Sequence, residues 1–344
     1  MKNNIRRNLI AVVLLSFTIS LLVSCTRPVQ APSPADSLTQ NSTNLAYPIT
    51  IESCGEEVVF DTIPERVLSF DTNMTEIMLA LGLQDRMVGY WISGVPVAEE
   101  YQEQIEDIPL ISTETWPPPA METILSFDPD FVFGAWNYNF SEESGVTPEK
   151  LATAGVKSYV LTESCIATGM RPSESIESTY EDILNLGRLF GVEDRAEMLV
   201  GQMRADIATV QERIGTVEVP LRGLYYGGGV DSAFTAGKYA MASKMMSAVG
   251  AENIFGDVED DWIPAAGWER IIEQDPTFIM IDDTPWESAE QRISTLESLP
   301  QLASVTAIRE KRYVVLPWTY ILPGMEMDEG ITALAKALYP DLFP

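Results

Sequence analysis

The chain of 344 residues contains no histidine at all. That absence removes Ser-His-Asp and Cys-His catalysis, and with them zinc or haem held through imidazole. Positive charge is scarce as well, with 22 Lys and Arg against 51 Asp and Glu. Three of the basic residues, Lys2, Arg6 and Arg7, precede an apolar run, so without residues 1–24 the balance is 19 against 51, a net charge of −32. Such a charge repels phosphate backbones and anionic lipid, which excludes nucleic acid as a partner and leaves only covalent or protein-mediated membrane attachment. Cysteine is limited to three residues, and the longest apolar run, Leu9–Val23, has 15 residues, too few for a membrane span.

What is present begins with an address. The basic residues, the apolar run and then Leu22-Val23-Ser24-Cys25 read as a signal peptide over residues 1–24. The tetrapeptide resembles a bacterial lipobox, in which the small residue before Cys permits cleavage and the Cys25 thiol takes diacylglycerol. Residues 25–47 follow, rich in Pro, Ser, Thr, Asn and Gln with only Arg27 and Asp36 charged. That composition cannot bury a core and reads as a flexible tether. With Cys25 lipidated and the protein exported, Cys54 and Cys165 are left in an oxidising compartment, where an even pair usually means a disulfide; two free buried thiols are the alternative.

From Tyr47 onward short β-branched or aromatic runs alternate with helical patterns, which predicts α/β lobes with parallel sheets. Strands are expected at Arg66–Phe70, Phe131–Phe133, Ser158–Leu161, Leu224–Tyr226, Phe278–Ile281 and Tyr313–Leu316. Ser173–Ile214 differs, being helical in pattern throughout with a break at Gly191. Its second part, Glu193–Ile214, with apolar positions Met198, Val200, Met203, Ile207 and Val210, predicts one helix of about six turns joining two lobes. The expected division is residues 48–192, a connecting helix at 193–215, and residues 216–344. A weak internal repeat agrees with two lobes, because Glu122–Val132 can be laid over Glu269–Ile279. Each copy reads as a short helix, an Asp-Pro stop and a Phe-led strand.

The ordered blocks Ile51-Glu52-Ser53-Cys54-Gly55, Ile63-Pro64-Glu65-Arg66-Val67 and Thr75–Leu83, and later Thr235-Ala236-Gly237, Val249–Phe255 and Gly267-Trp268-Glu269 before Asp275-Pro276, resemble the iron-siderophore ABC-transporter substrate-binding proteins. The resemblance runs from Ile49 to Leu338. It implies two Rossmann-like α/β lobes joined by a single rigid helix, with a ferric siderophore or similar chelate held between them. It also implies delivery to an ABC permease with separate ATPase subunits, no chemistry of the chain's own and no cofactor. In similar proteins one acidic residue on each lobe meets arginines of the permease, and the positions matching that pattern are Glu122 and Glu269. The lipid bilayer is a partner through acylated Cys25, and the chain is expected to act as a monomer. A cobalamin or haem carrier of the same type, and an extracytoplasmic carboxylate-dependent enzyme, remain as alternatives.

Ligands of α/β lobes meet the loops at the carboxyl ends of the strands. Trp91, Trp136, Tyr138, Tyr226, Trp286, Trp318 and Tyr320 follow or close strands there, which suits a bulky chelate or macrocycle. Lys238 is the one basic residue placed beside them. So few cations argue against an anionic catecholate chelate and fit a neutral or cationic hydroxamate chelate, or a corrinoid. The acid pairs Asp260-Asp261 and Asp282-Asp283 read as solvated surface, and Gly227-Gly228-Gly229 as a turn, since no phosphate-loop spacing follows.

Overall fold

A computed structural model describes residues 47–343. Cys25, the signal peptide at 1–24 and nearly all of the tether lie outside the described residues. A hairpin, β1 (Ile49–Ser53) with β2 (Glu56–Phe60), comes first. A four-stranded parallel sheet follows, built from β3 (Val67–Phe70), β4 (Met87–Trp91), β5 (Phe131–Gly134) and β6 (Lys157–Val160) in the order β4-β3-β5-β6.

The second half holds β7 (Leu221–Tyr225), β8 (Ala233–Ala236), β9 (Ala251–Asn253), β10 (Trp262–Ala266), β11 (Phe278–Asp283) and β12 (Tyr313–Pro317). Four of them form a parallel sheet in the order β12-β11-β7-β9, while β8 and β10 pair antiparallel beside it. In each sheet the chain runs first to one neighbour of the opening strand and then to the other. The order therefore reverses between β3 and β5 in the first sheet and between β7 and β11 in the second. Ligands of open α/β sheets bind outside the carboxyl ends of such strands.

The six strands expected from sequence are all present, shifted by a residue or more at their ends. Hairpin β1–β2 and the strands β4, β8, β9 and β10 are additional, because their apolar runs are brief. Along β11 the pleat sorts the core: Phe278 and Met280 pack into a cluster continuous with the first sheet, while Ile279 and Ile281 pack into a separate cluster on the other face.

Helix Glu177–Phe190 ends on Gly191 in the left-handed conformation (φ 69°), and a 22-residue helix spans Glu193–Ile214. This second helix would run about 33 Å at 1.5 Å per residue. Its buried stripe is Ala196, Val200, Met203, Ile207 and Val210. Met198, grouped with that stripe on sequence, is 54% exposed, since it falls off the 3.6-residue period. The helix packs against Glu177–Phe190 on one side and Met327–Leu338 on the other, so it is braced by both halves of the chain.

Cys54, at the β1–β2 turn, is bonded to Cys165, which follows β6. The repeat is visible in three dimensions: helices Met121–Ser126 and Trp268–Gln274 each end at an Asp before Pro, Asp128 (φ 50°) and Asp275 (φ 43°), and lead into β5 and β11. Arg66 donates to the carbonyls of Phe127 and Asp128, closing the end of the first of these helices.

Candidate functional site

The carboxyl ends of β7, β11 and β12 carry a row of aromatic rings. Phe234, on β8, stacks on Trp262 at 5.5 Å between centroids with 17° between planes; Trp262 stacks on Trp318 at 6.3 Å; and Trp286 meets Trp318 edge-on at 6.0 Å. Tyr225 supports the row from below, 5.5 Å from Trp262. Trp286 is 54% exposed while Trp262 and Trp318 are half-buried, so the row presents a broad apolar surface with polar edges. Tyr320 follows Trp318 in the same 3-10 turn. On the first sheet, Trp136 and Tyr138 come immediately after β5 and are also half-buried.

Several polar atoms here have no hydrogen-bond partner among the described residues. Trp136 Nε1, Tyr138 Oη and Trp318 Nε1 are buried and unpartnered. Buried donors cost free energy unless something accepts from them. The acids nearby are also unusual. Burial pushes the Tyr138 phenol well above its ordinary value, and Glu163, Asp71 and Asp261 push it the same way; a phenol in that field stays protonated and remains a donor. Burial raises Asp71, against hydrogen bonds from Thr72 and Ser93 that lower it, and burial raises Asp261.

Not every expected residue lies on this surface. Trp91 is 1% exposed, packs against Phe70 and donates from Nε1 to the Glu114 carbonyl at 2.8 Å. Tyr226 is wholly buried in the second core cluster, with its hydroxyl on the Gly229 carbonyl at 2.6 Å. Both are packing residues: strand alternation turns the last residue of β4, and the residue just past β7, inward. Lys238 pairs with Glu174 at 2.9 Å. It lies in a surface recess of about 460 Å³ at the β9 edge, with Arg222, Asn253 and Arg270, away from the aromatic row. Two of the cations in that recess are paired with acids, Lys238 with Glu174 and Arg270 with Asp257.

The acid pairs are not simply solvated. One member of each faces inward: Asp261 is 2% and Asp282 1% exposed, while Asp260 and Asp283 are exposed. Asp282 accepts from Tyr225 Oη at 2.7 Å and pairs with Arg292 at 2.5 Å, and Arg292 also reaches Glu287 at 3.2 Å. The Gly227-Gly228-Gly229 segment is the turn from β7 to β8. Gly228 (φ 121°) and Gly229 (φ 105°) adopt backbone angles that a side chain would strain.

Sequence reasoning missed Trp262 and Phe234. Both precede or sit within strands too short to be recognised, and only the β8–β10 pairing brings them to the edge. Exposed Trp116 was also missed; it follows Glu114, whose carbonyl holds the Trp91 indole at the end of β4.

Glu122 and Glu269 occupy the first turns of the two repeated helices and are exposed. No salt bridge involves either among the described residues. Among those residues, too, no helix is long and apolar enough to cross a membrane.

Residues 67–320 match the family model described as periplasmic binding protein. An uncharacterised ABC-transporter substrate-binding lipoprotein of Bacillus subtilis is 24% identical, over 94% of this chain and 94% of that protein. A cobalamin-binding protein of Halobacterium salinarum is 24% identical over 93% of this chain and 83% of its own. Among solved structures, an ABC-type Fe3+-hydroxamate transport protein of Saccharomonospora viridis superposes with a TM-score of 0.73, at 24% identity, over 85% of this chain and 99% of that one. A periplasmic binding protein of Veillonella parvula also gives 0.73, at 24% identity, over 85% and 97%. This chain belongs to the periplasmic binding protein family, an extracytoplasmic family of transport binding proteins and not of enzymes, which disposes of the carboxylate-enzyme alternative.

Proposed function

We propose that this periplasmic binding protein is the capture subunit of an ABC importer, anchored to the membrane through lipid on Cys25, and that it binds a ferric siderophore or similar metal chelate and presents it to the permease. The proposed units are an N-terminal lobe at 48–192, the connecting helix at 193–215 and a C-terminal lobe at 216–344, acting as a monomer. The aromatic row Phe234–Trp262–Trp318–Trp286 carries the reading. It lies where the second sheet reverses its order, and Trp136 and Tyr138 hold the matching position on the first. Tyr320 lies two residues past Trp318 in the same turn. A small ion would find no use for so much ring surface, whereas the organic envelope of a chelate would bury against it.

A corrinoid is the second reading, favoured by the name of one relative and by the same rings, which suit a flat macrocycle equally. Native mass spectrometry of the purified chain against ferric hydroxamates, cobalamin and haem separates the two. Retention of none of them would overturn the metal-chelate reading. Anchoring is tested by Cys25→Ser, which should leave unprocessed precursor; normal processing with membrane retention would remove the lipid claim.

A further inference from the structure

Asp261, from the second half of the chain, accepts from Asn137 beside Tyr138 just past β5, and the buried side chains of Asp71 and Glu163 act on the same Tyr138 phenol. Asp71 directly follows β3, is 3% exposed, and holds φ 63° with ψ 164°, a backbone region that residues with side chains rarely occupy outside functional sites. Its hydrogen bonds, from Thr72 N and from Ser93 N and Oγ, all fall on Oδ1, so Oδ2 receives none among the described residues. Asp261 comes from the other half of the chain, immediately before Trp262. Glu163 follows β6, is 3% exposed, and its Oε2 has no hydrogen-bond partner among the described residues; burial pushes its carboxyl up to about 8 against the opposing Lys244, so it adds little charge near neutral pH. Lys244 Nζ lies 3.8 Å from that oxygen but donates its hydrogen bond to Ser178 at 3.0 Å.

The cations nearest the site are already engaged. Lys244 is held by Ser178 and Glu163, and Arg292 by Asp282 and Glu287. Carboxylates removed from water and left short of partners are costly, and aromatic faces attract cations. Both features lie together at Asp261-Trp262, and neither would favour an anion.

We propose, resting on the carrier reading above, that this site selects its ligand by charge: a chelate bearing a cationic group, seated against Asp71, Asp261 and the Trp262 ring, with its neutral body spread over Trp318 and Trp286. Coulomb attraction over several ångströms at an effective dielectric of about 20 is enough for discrimination of about tenfold or more per unit of ligand charge. The carboxylates thereby supply selectivity, and the rings supply contact area.

The test uses one ferric linear trihydroxamate in three forms, with a free terminal ammonium, with that amine acetylated, and with it succinylated, titrated against the folded chain by Trp fluorescence or calorimetry. The ammonium form should bind about tenfold tighter than the acetylated form and about a hundredfold tighter than the succinylated one. In Asp261→Asn, and separately in Asp71→Asn, the ratio between cationic and anionic forms should fall by about tenfold. Equal affinity for the three forms, or preference for the anion, overturns charge selection while leaving the carrier reading intact. An unchanged ratio in both variants overturns the assignment to these carboxylates. Failure of all three forms to bind overturns the hydroxamate-carrier reading, and charge selection with it.

Discussion

Asn137 donates from Nδ2 to Oδ2 of Asp261 at 3.4 Å, joining residues 124 positions apart. Asn137 lies just past β5 and Asp261 just before β10, so this one contact ties the ligand-side edge of the first sheet to the aromatic row of the second. Asn73 makes a parallel link, from Nδ2 to the Pro323 carbonyl at 2.8 Å. Residues from both halves therefore approach closely enough to hold one ligand between them.

The aromatic assignments separate into binding and packing residues. Trp262→Ala and Trp318→Ala should each weaken chelate binding by about 1 to 3 kcal/mol, the size of a hot-spot contact. Trp91→Ala and Tyr226→Ala should instead lower stability by about 3 to 5 kcal/mol, as expected for emptying a core position. Fluorescence titration combined with urea unfolding distinguishes the two groups. A full-affinity Trp262→Ala protein would show that the row is not the contact surface.

Glu76 predicts a pH dependence. Burial pushes its carboxyl up to about 8, with Glu326, Glu100 and Glu329 adding to the rise and a hydrogen bond from Ala98 N opposing it. A raised acid binds its proton more tightly folded than unfolded, so its neutral form favours the fold and stability falls as pH climbs from about 4.5 toward 8. Glu76→Gln keeps an acceptor for Ala98 N and removes the charge. It should stabilise the protein by on the order of 1 to 3 kcal/mol at pH 9, with little change at pH 5. Thermal unfolding at the two pH values measures this, and equal effects at both would contradict the assignment.

The Cys54–Cys165 bond closes a separation of 111 residues. Chain-entropy reasoning assigns such a crosslink about 3 to 5 kcal/mol. The Cys54→Ala/Cys165→Ala protein should unfold at correspondingly lower urea than the oxidised parent. An unchanged midpoint would mean that the bond contributes nothing.

Glu122 and Glu269 offer exposed carboxylates on the two repeated helices, a geometry suited to two arginine sites on a permease. In both helices a first-turn Glu also favours the helix dipole. Reversal of both to Lys should abolish transport-coupled ATP hydrolysis in reconstituted vesicles and leave solution affinity for the chelate within a few-fold. Full coupling would remove the docking role.

Local chemistry in the sequence determined much of the scaffold. Periodicity located six of the strands between Val67–Phe70 and Tyr313–Pro317, the helix Glu193–Ile214 with its break at Gly191, and the two helix–Asp-Pro–strand copies, because pleat, helical turn and proline sterics act on neighbouring residues. Composition likewise removed histidine chemistry. The site was only partly legible. Trp136, Tyr138, Trp286 and Trp318 lie past strand ends as that rule expects, whereas Trp91 and Tyr226 turn into the core, since which way a strand-end residue turns depends on the sheet's neighbours. Trp262 and Phe234 reach the edge only through the pairing of β8 with β10, and Asp71, Glu163 and Asp261 act on one phenol only once two sheets are brought together. Distances across such long separations in the chain are set by packing, and packing leaves no periodic trace in the sequence.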